Sequence, residues 1–150
     1  MRDPGWMGRR RHPRTTAPAP RTGVGPALGR RERLAAILAR DGGHCVWCRR
    51  GFDDTLIQPT TEHVVPRVKG GPSWIENEVA ACSRCNSERG HRTPADYALE
   101  CRGLGRDPDV GTILAVLRSL EEAIHDVGGQ RRARPYVGSQ IRRLENLVGD

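Results

Sequence analysis

The chain has 150 residues, of which 36% are hydrophobic and 4% aromatic, and it carries a net charge of +7. So lean a composition argues against a large unaided core and for a staple such as a metal or disulfides. No stretch approaches about 18 consecutive apolar residues, which argues against a membrane partner. The basic start has no apolar segment after it, so it does not read as a secretory signal, and a cytoplasmic chain keeps its cysteines reduced and free for metal.

Residues 1–31 hold eight Arg and one Asp, whereas residues 32–150 hold 17 basic and 17 acidic residues. The whole charge excess therefore lies on an arm, residues 1–30, rich in Arg, Pro and Gly and expected to be disordered. Such an arm suits a polyanion, because neutralising phosphates releases counterions. The alternative reading is that the Arg excess merely reflects a GC-rich coding sequence. Residues 31–40 predict a helix with Leu34, Ile37 and Leu38 on one face, stopped by Asp41-Gly42-Gly43. Residues 55–61 read as a short strand weakened by Pro59, Pro66–Pro72 as a loop, and Glu78–Ala81 as a second strand. A helix opens at the Cys82–Cys85 motif and ends near Gly90. Thr93 is positioned to cap the next helix, with Pro94 at its first position and Asp96 near its positive end. Residues 109–127 predict a long helix from Val110, Ile113, Leu114, Leu117, Leu120, Ile124 and Val127, and residues 136–148 a last one from Val137, Ile141, Leu144 and Val148. These two are expected to pair as a helical hairpin, residues 103–150, packed on the core or on another subunit of a homo-oligomer or larger complex.

Chemistry concentrates between residues 45 and 90. Cys45-Val46-Trp47-Cys48 and Cys82-Ser83-Arg84-Cys85 are two C-x-x-C pairs, 33 residues apart. Four thiolates offered from two tight turns match a closed, tetrahedral structural zinc site; two disulfides are the competing reading. A zinc held by four thiolates has no open position, so it would hold the fold and take no part in catalysis. Cys101 lies outside the pairs and reads as a small buried hydrophobe.

Between the pairs run Thr61-Glu62-His63-Val64-Val65-Pro66-Arg67, then Gly70-Gly71 and Glu76-Asn77-Glu78-Val79; Asn86-Ser87-Glu88-Arg89-Gly90 follows the second pair. This order resembles the HNH nuclease family: an acid–His pair, a Gly-rich loop, an Asn, then a knuckle running into a His or Asn. The resemblance covers residues 33–98, within a nuclease domain read as residues 31–102. It implies an α+β chain built on a small ββα-metal domain, in which a hairpin and a helix grip one divalent cation. It also implies His63 as general base, Glu62 and Asn86 as ligands of a catalytic Mg²⁺ or Mn²⁺, and Asn77 as the brace of the His-bearing loop. The implied substrate is double-stranded DNA.

These residue types suit phosphodiester hydrolysis. A neutral imidazole titrating near pH 6.5 can take a proton from water. Carboxylate and amide oxygens suit a hard cation, which stabilises charge on the reacting phosphate. On extended chain the adjacent Glu62 and His63 point to opposite faces. Arg67 is a candidate clamp on the scissile phosphate, and Arg84 and Arg89 are candidate contacts to flanking phosphates. His91 lies about 140° round a helix from Asn86 and reads as surface. His44 is expected to be exposed, Trp47 and Trp74 to pack around knuckle and loop, and His12 and His125 to serve no site. Two other readings stand beside the nuclease: a non-catalytic zinc-ribbon module that binds nucleic acid, and a nuclease acting only within a phage packaging or restriction assembly.

Overall fold

The computed structural model describes residues 28–149, so most of the expected disordered arm, residues 1–27, lies outside the described residues. The chain is α+β. Helix α1 spans Arg30–Asp41, strand β1 Pro59–His63, β2 Glu78–Cys82, and helices α2 Ser83–Arg89, α3 Pro94–Gly103, α4 Val110–Val127 and α5 Ala133–Gly149 follow. Short 3₁₀ turns at Arg67–Lys69 and Ile75–Asn77 bracket the long loop between the strands. The two strands pair antiparallel, with Glu62 opposite Val79 and His63 opposite Glu78.

Local chemistry sets these boundaries. Arg30 already belongs to α1, because Glu32 accepts the Gly29 N–H at 2.8 Å and fixes the entry to the helix. The first strand is displaced from its expected position at residues 55–61. Asp54 captures that stretch as a turn: its side chain accepts from the Leu56 N–H at 2.9 Å, and its carbonyl from the Ile57 N–H at 3.0 Å. The strand starts instead at Pro59, and the first strand residue is where a missing N–H is tolerated. Thr93 caps α3 by accepting from the Asp96 N–H at 3.1 Å, with Pro94 at the first helical position.

One hydrophobic core runs from the first knuckle to the last helix. It joins Trp47, Val64, Val65 and Val79 to Ile113, Leu117, Leu120, Val137 and Leu144. The apolar stripe of α4 is thus buried inside this chain. Helix α5 also serves α3: Gln140, buried, accepts from the Ala95 N–H at 3.1 Å and satisfies one of the free donors at that helix start. No helix among the described residues is long and apolar enough to cross a membrane.

Candidate active site and metal-binding knuckles

The knuckles come together as the spacing predicted. The Sγ atoms of Cys45, Cys48, Cys82 and Cys85 all lie within 4.8 Å of one another. A tetrahedral ion with bonds of about 2.3 Å to sulfur needs edges of about 3.8 Å, so the four cysteines are positioned to hold a metal such as zinc. Their proton chemistry agrees. The Cys45 thiol is pulled down to about 5, chiefly because its thiolate accepts from Cys85. Burial pushes Cys48 up to about 11, and the Cys85 thiol, donating to Cys45, is also raised. Thiolates are the form in which cysteine binds a metal, so a divalent ion there would favour their ionisation. The site is buried against the sheet, since Val46 N–H donates to Ala80 O at 3.0 Å and Ser83 N–H to Gln58 O at 3.1 Å.

The loop between the strands is fastened by Asn77, which is fully buried. Its Oδ1 accepts from the Val65 N–H at 2.9 Å, and its Nδ2 donates to Val65 O at 3.0 Å and Pro72 O at 2.9 Å. The Gly-Gly pair is required by this closure. Gly70 adopts φ +85°, and a Cβ on Gly71 would lie 1.8 Å from Val65 O. Asn77 and the glycines therefore draw the chain back on itself immediately after His63. The turn between α4 and α5 supports the same loop, with Arg132 Nη2 donating to Val68 O at 2.6 Å.

As expected for extended chain, Glu62 and His63 point to opposite sides of β1. His63 is about one-quarter exposed, at 26%, beside exposed Arg67 and Ser73. Its Nε2 lies 3.4 Å from Ser73 Oγ and 3.8 Å from Glu78 Oε1. Burial and the nearby Arg67 and Arg33 hold its pKa below the ordinary histidine value, against the pull of Glu78. The neutral, proton-accepting form is therefore favoured at neutral pH. Arg67 donates through Nη2 to Ser73 Oγ at 2.8 Å and has no carboxylate partner among the described residues.

The opposite side of β1 is an interior one. Glu62 is 5% exposed, with Oε2 accepting from Trp47 Nε1–H at 2.5 Å and Oε1 paired with Arg89. Burial pushes its carboxyl above the ordinary carboxylate range despite those partners. Arg89 is 1% exposed, lies with its guanidinium 5.0 Å from the Trp47 ring centre, and also donates to His63 O at 3.0 Å and Val64 O at 2.6 Å. The expectation that Arg89 contacts phosphate is therefore corrected. It is a core cation, and its spacing of three residues from Asn86 turns it onto β1. Asn86 is partly buried and donates through Nδ2 to Thr60 Oγ1 at 3.0 Å. Both Glu62 oxygens are thus occupied by N–H donors, and as the side chains stand Glu62 and Asn86 offer no ready ligand pair for a catalytic ion.

Arg84 is exposed on α2 and shares Glu88 with Arg106, at 2.9 and 2.6 Å. His44, expected to be exposed, is instead partly buried and pairs at 2.9 Å with Asp109, the residue that caps α4. Trp47 packs edge-on against Tyr97, 5.1 Å between ring centres, and Trp74 lies partly buried on the core. Cys101 is buried and His91 exposed.

Sequence reasoning passed over Glu78, Ser73 and Arg33, which surround the His63 ring. The signal for Glu78 was present, as an acid opening the otherwise apolar strand Glu78-Val79-Ala80-Ala81-Cys82. Arg33 carried none, because its partner lies 45 residues away.

No curated protein and no solved structure matches the chain. The family model for HNH endonucleases matches residues 45–99. That span starts at the first knuckle, contains the hairpin, its braced loop and α2, and ends within α3. With its four cysteines gathered and its Asn-fastened loop behind a partly exposed histidine, the segment from Cys45 to Leu99 is similar to the HNH endonuclease family.

Proposed function

We propose that this chain is an endonuclease that hydrolyses DNA phosphodiester bonds with His63 as general base. The observation that carries the reading is the family match over residues 45–99 together with a partly exposed His63 beside an Arg67 that has no carboxylate partner among the described residues. In the reaction His63 takes one proton from water. The oxygen of that water forms its bond to phosphorus as the bond to the leaving sugar oxygen breaks, and the leaving oxygen takes up a proton. Arg67 holds the phosphate by charge and by its planar fork, with Arg84 touching a flanking phosphate. Asn77 acts through the loop, keeping His63 and Arg67 in register. The knuckles hold zinc, which keeps the hairpin and α2 together without taking part in the chemistry. The family chemistry also calls for Mg²⁺ or Mn²⁺, which supplies charge stabilisation at the phosphate when bound. Glu62 and Asn86 do not fit that task in their present pairing, so no step is derived through such an ion.

One observation favours a second reading, a non-catalytic zinc module that binds nucleic acid. The two donors on Glu62, Arg89 and Trp47, make that residue a structural ion-pair member. A plasmid-nicking assay with Mg²⁺, Mn²⁺ or EDTA, run beside His63→Ala, separates the two. Cleavage that depends on His63 supports the nuclease. DNA binding with no cleavage in any metal supports the module.

A further inference from the structure

We propose that Glu78, pinned by Arg33, is the positioning residue of the catalytic histidine, and that it leaves Nδ1 of His63 as the nitrogen that takes the proton from water. The inference rests on the nuclease reading and adds a residue to its machinery.

Glu78 is the cross-strand partner of His63 in the hairpin, and directly opposed residues of an antiparallel pair project from the same face. Its carboxylate is buried, in a strand whose other members are apolar. Burying a carboxylate is costly unless it is paired, and the partner is Arg33 from α1, with Nε 2.9 Å from Oε2. The same guanidinium donates through Nη2 to Ser73 O at 2.7 Å. One arginine therefore fixes both the carboxylate and the loop residue beside it. The second carboxylate oxygen, Oε1, is left facing His63 Nε2 at 3.8 Å, with Ser73 Oγ on the same edge of the ring at 3.4 Å. At 3.8 Å this is an ion-pair separation, longer than a hydrogen bond.

The consequence is a choice of tautomer. A neutral imidazole has one N–H and one lone pair, and an ionised carboxylate can only accept. A carboxylate on the Nε2 edge therefore favours the proton on Nε2 and the lone pair on Nδ1. When water gives its proton to Nδ1 the ring becomes an imidazolium with both nitrogens protonated, and its new charge lies opposite Glu78. A role confined to docking α1 onto the sheet would use only Oε2 and Arg33.

The test uses the zinc-loaded full chain and two readouts, one of which needs no substrate. Imidazole ¹⁵N spectra, recorded at a pH above the titration of His63, should show its proton on Nε2. In Glu78→Val the Nδ1–H form should grow. Glu78→Gln, which still offers an oxygen acceptor, should stay close to the parent. On DNA, Glu78→Val should lower the single-turnover rate about 10–100-fold, the usual cost of losing a partner that orients a functional histidine, with half-saturation unchanged. Glu78→Gln should recover part of that rate. The inference is overturned if His63 of the parent protein carries its proton on Nδ1, or if Glu78→Val matches the parent in both tautomer and rate. If Glu78→Val does not fold, the parent spectrum and Glu78→Gln decide the question. A parent protein that shows the expected tautomer and cuts no DNA would refute the nuclease reading and leave the orientation of His63 by Glu78 standing.

Discussion

At the scale of single residues, the two faces of β1 have opposite duties, and substitution separates them. The His63 side chain meets Ser73 and Glu78, and only its carbonyl meets Arg89, so His63→Ala should keep fold, metal content and DNA affinity. Losing a general base costs about 10²–10⁴ in rate, and single-turnover cleavage should fall by that much. In the proposed reaction the neutral ring takes the proton, so the rate of the parent protein should fall as pH drops through the pKa of His63. Burial and the flanking arginines hold that pKa below the ordinary histidine value, so the acid limb of the profile should lie below it too. A rate that is flat in pH or unchanged in His63→Ala would remove His63 from the chemistry. On the other face, Arg89→Met should leave Glu62 as an unpaired buried charge and destabilise the fold by about 3–5 kcal/mol. Adding Glu62→Gln removes that charge and should restore part of the stability, measured by denaturant unfolding of the zinc-loaded protein. Equal midpoints for Arg89→Met and the parent would mean that the pair carries no structural weight.

At the scale of elements, the hairpin is short and needs outside help. A two-stranded sheet is marginal alone, and both strands of this one have five residues. A metal held by the knuckles would supply the missing stability, because Cys82 ends β2 and Cys85 lies in α2, while Cys45 and Cys48 approach from a separate turn. Metal binding there would be folding free energy. Cys82→Ser, or prolonged treatment with a strong chelator, should cost the native circular dichroism and cooperative unfolding of the domain. Elemental analysis of the parent protein should find one zinc per chain. A folded, metal-free protein would show that the core suffices without the staple.

At the scale of the whole molecule, the charge is divided unevenly. The basic excess lies in residues 1–31, while residues 32–150 balance, so binding to DNA should depend on the arm. Deleting residues 1–27 removes six arginines and leaves α1 intact from Arg30. The logarithmic salt dependence of DNA affinity should flatten by about 0.9 for each phosphate that the arm neutralises, with the single-turnover rate at saturation nearly unchanged. An unchanged slope would mean that the arm neutralises no phosphates. The long helices have a role at this scale as well. Their apolar stripes complete the core, and the turn between them, through Arg132, steadies the loop that carries Arg67.

The sequence by itself determined whatever is local or follows a fixed spacing. The paired cysteines, the Thr93 cap, the stripe of α4 and the glycine-bound loop were legible because each depends on neighbours within a few residues or on ligand chemistry that fixes the spacing. The opposite directions of Glu62 and His63 followed from the period of extended chain. Tertiary structure alone decided which charged groups meet. Arg89 reads as a surface charge on a short helix, yet the packing of that helix on β1 buries it against Glu62 and Trp47. Glu78 and Arg33 come together across 45 residues, and the strand register then sets Glu78 opposite His63. Long-range pairing of charges leaves little trace in composition or periodicity, because an arginine or glutamate is compatible with either solvent or a buried partner. Only the closed fold, by removing water, determines which of them must be paired.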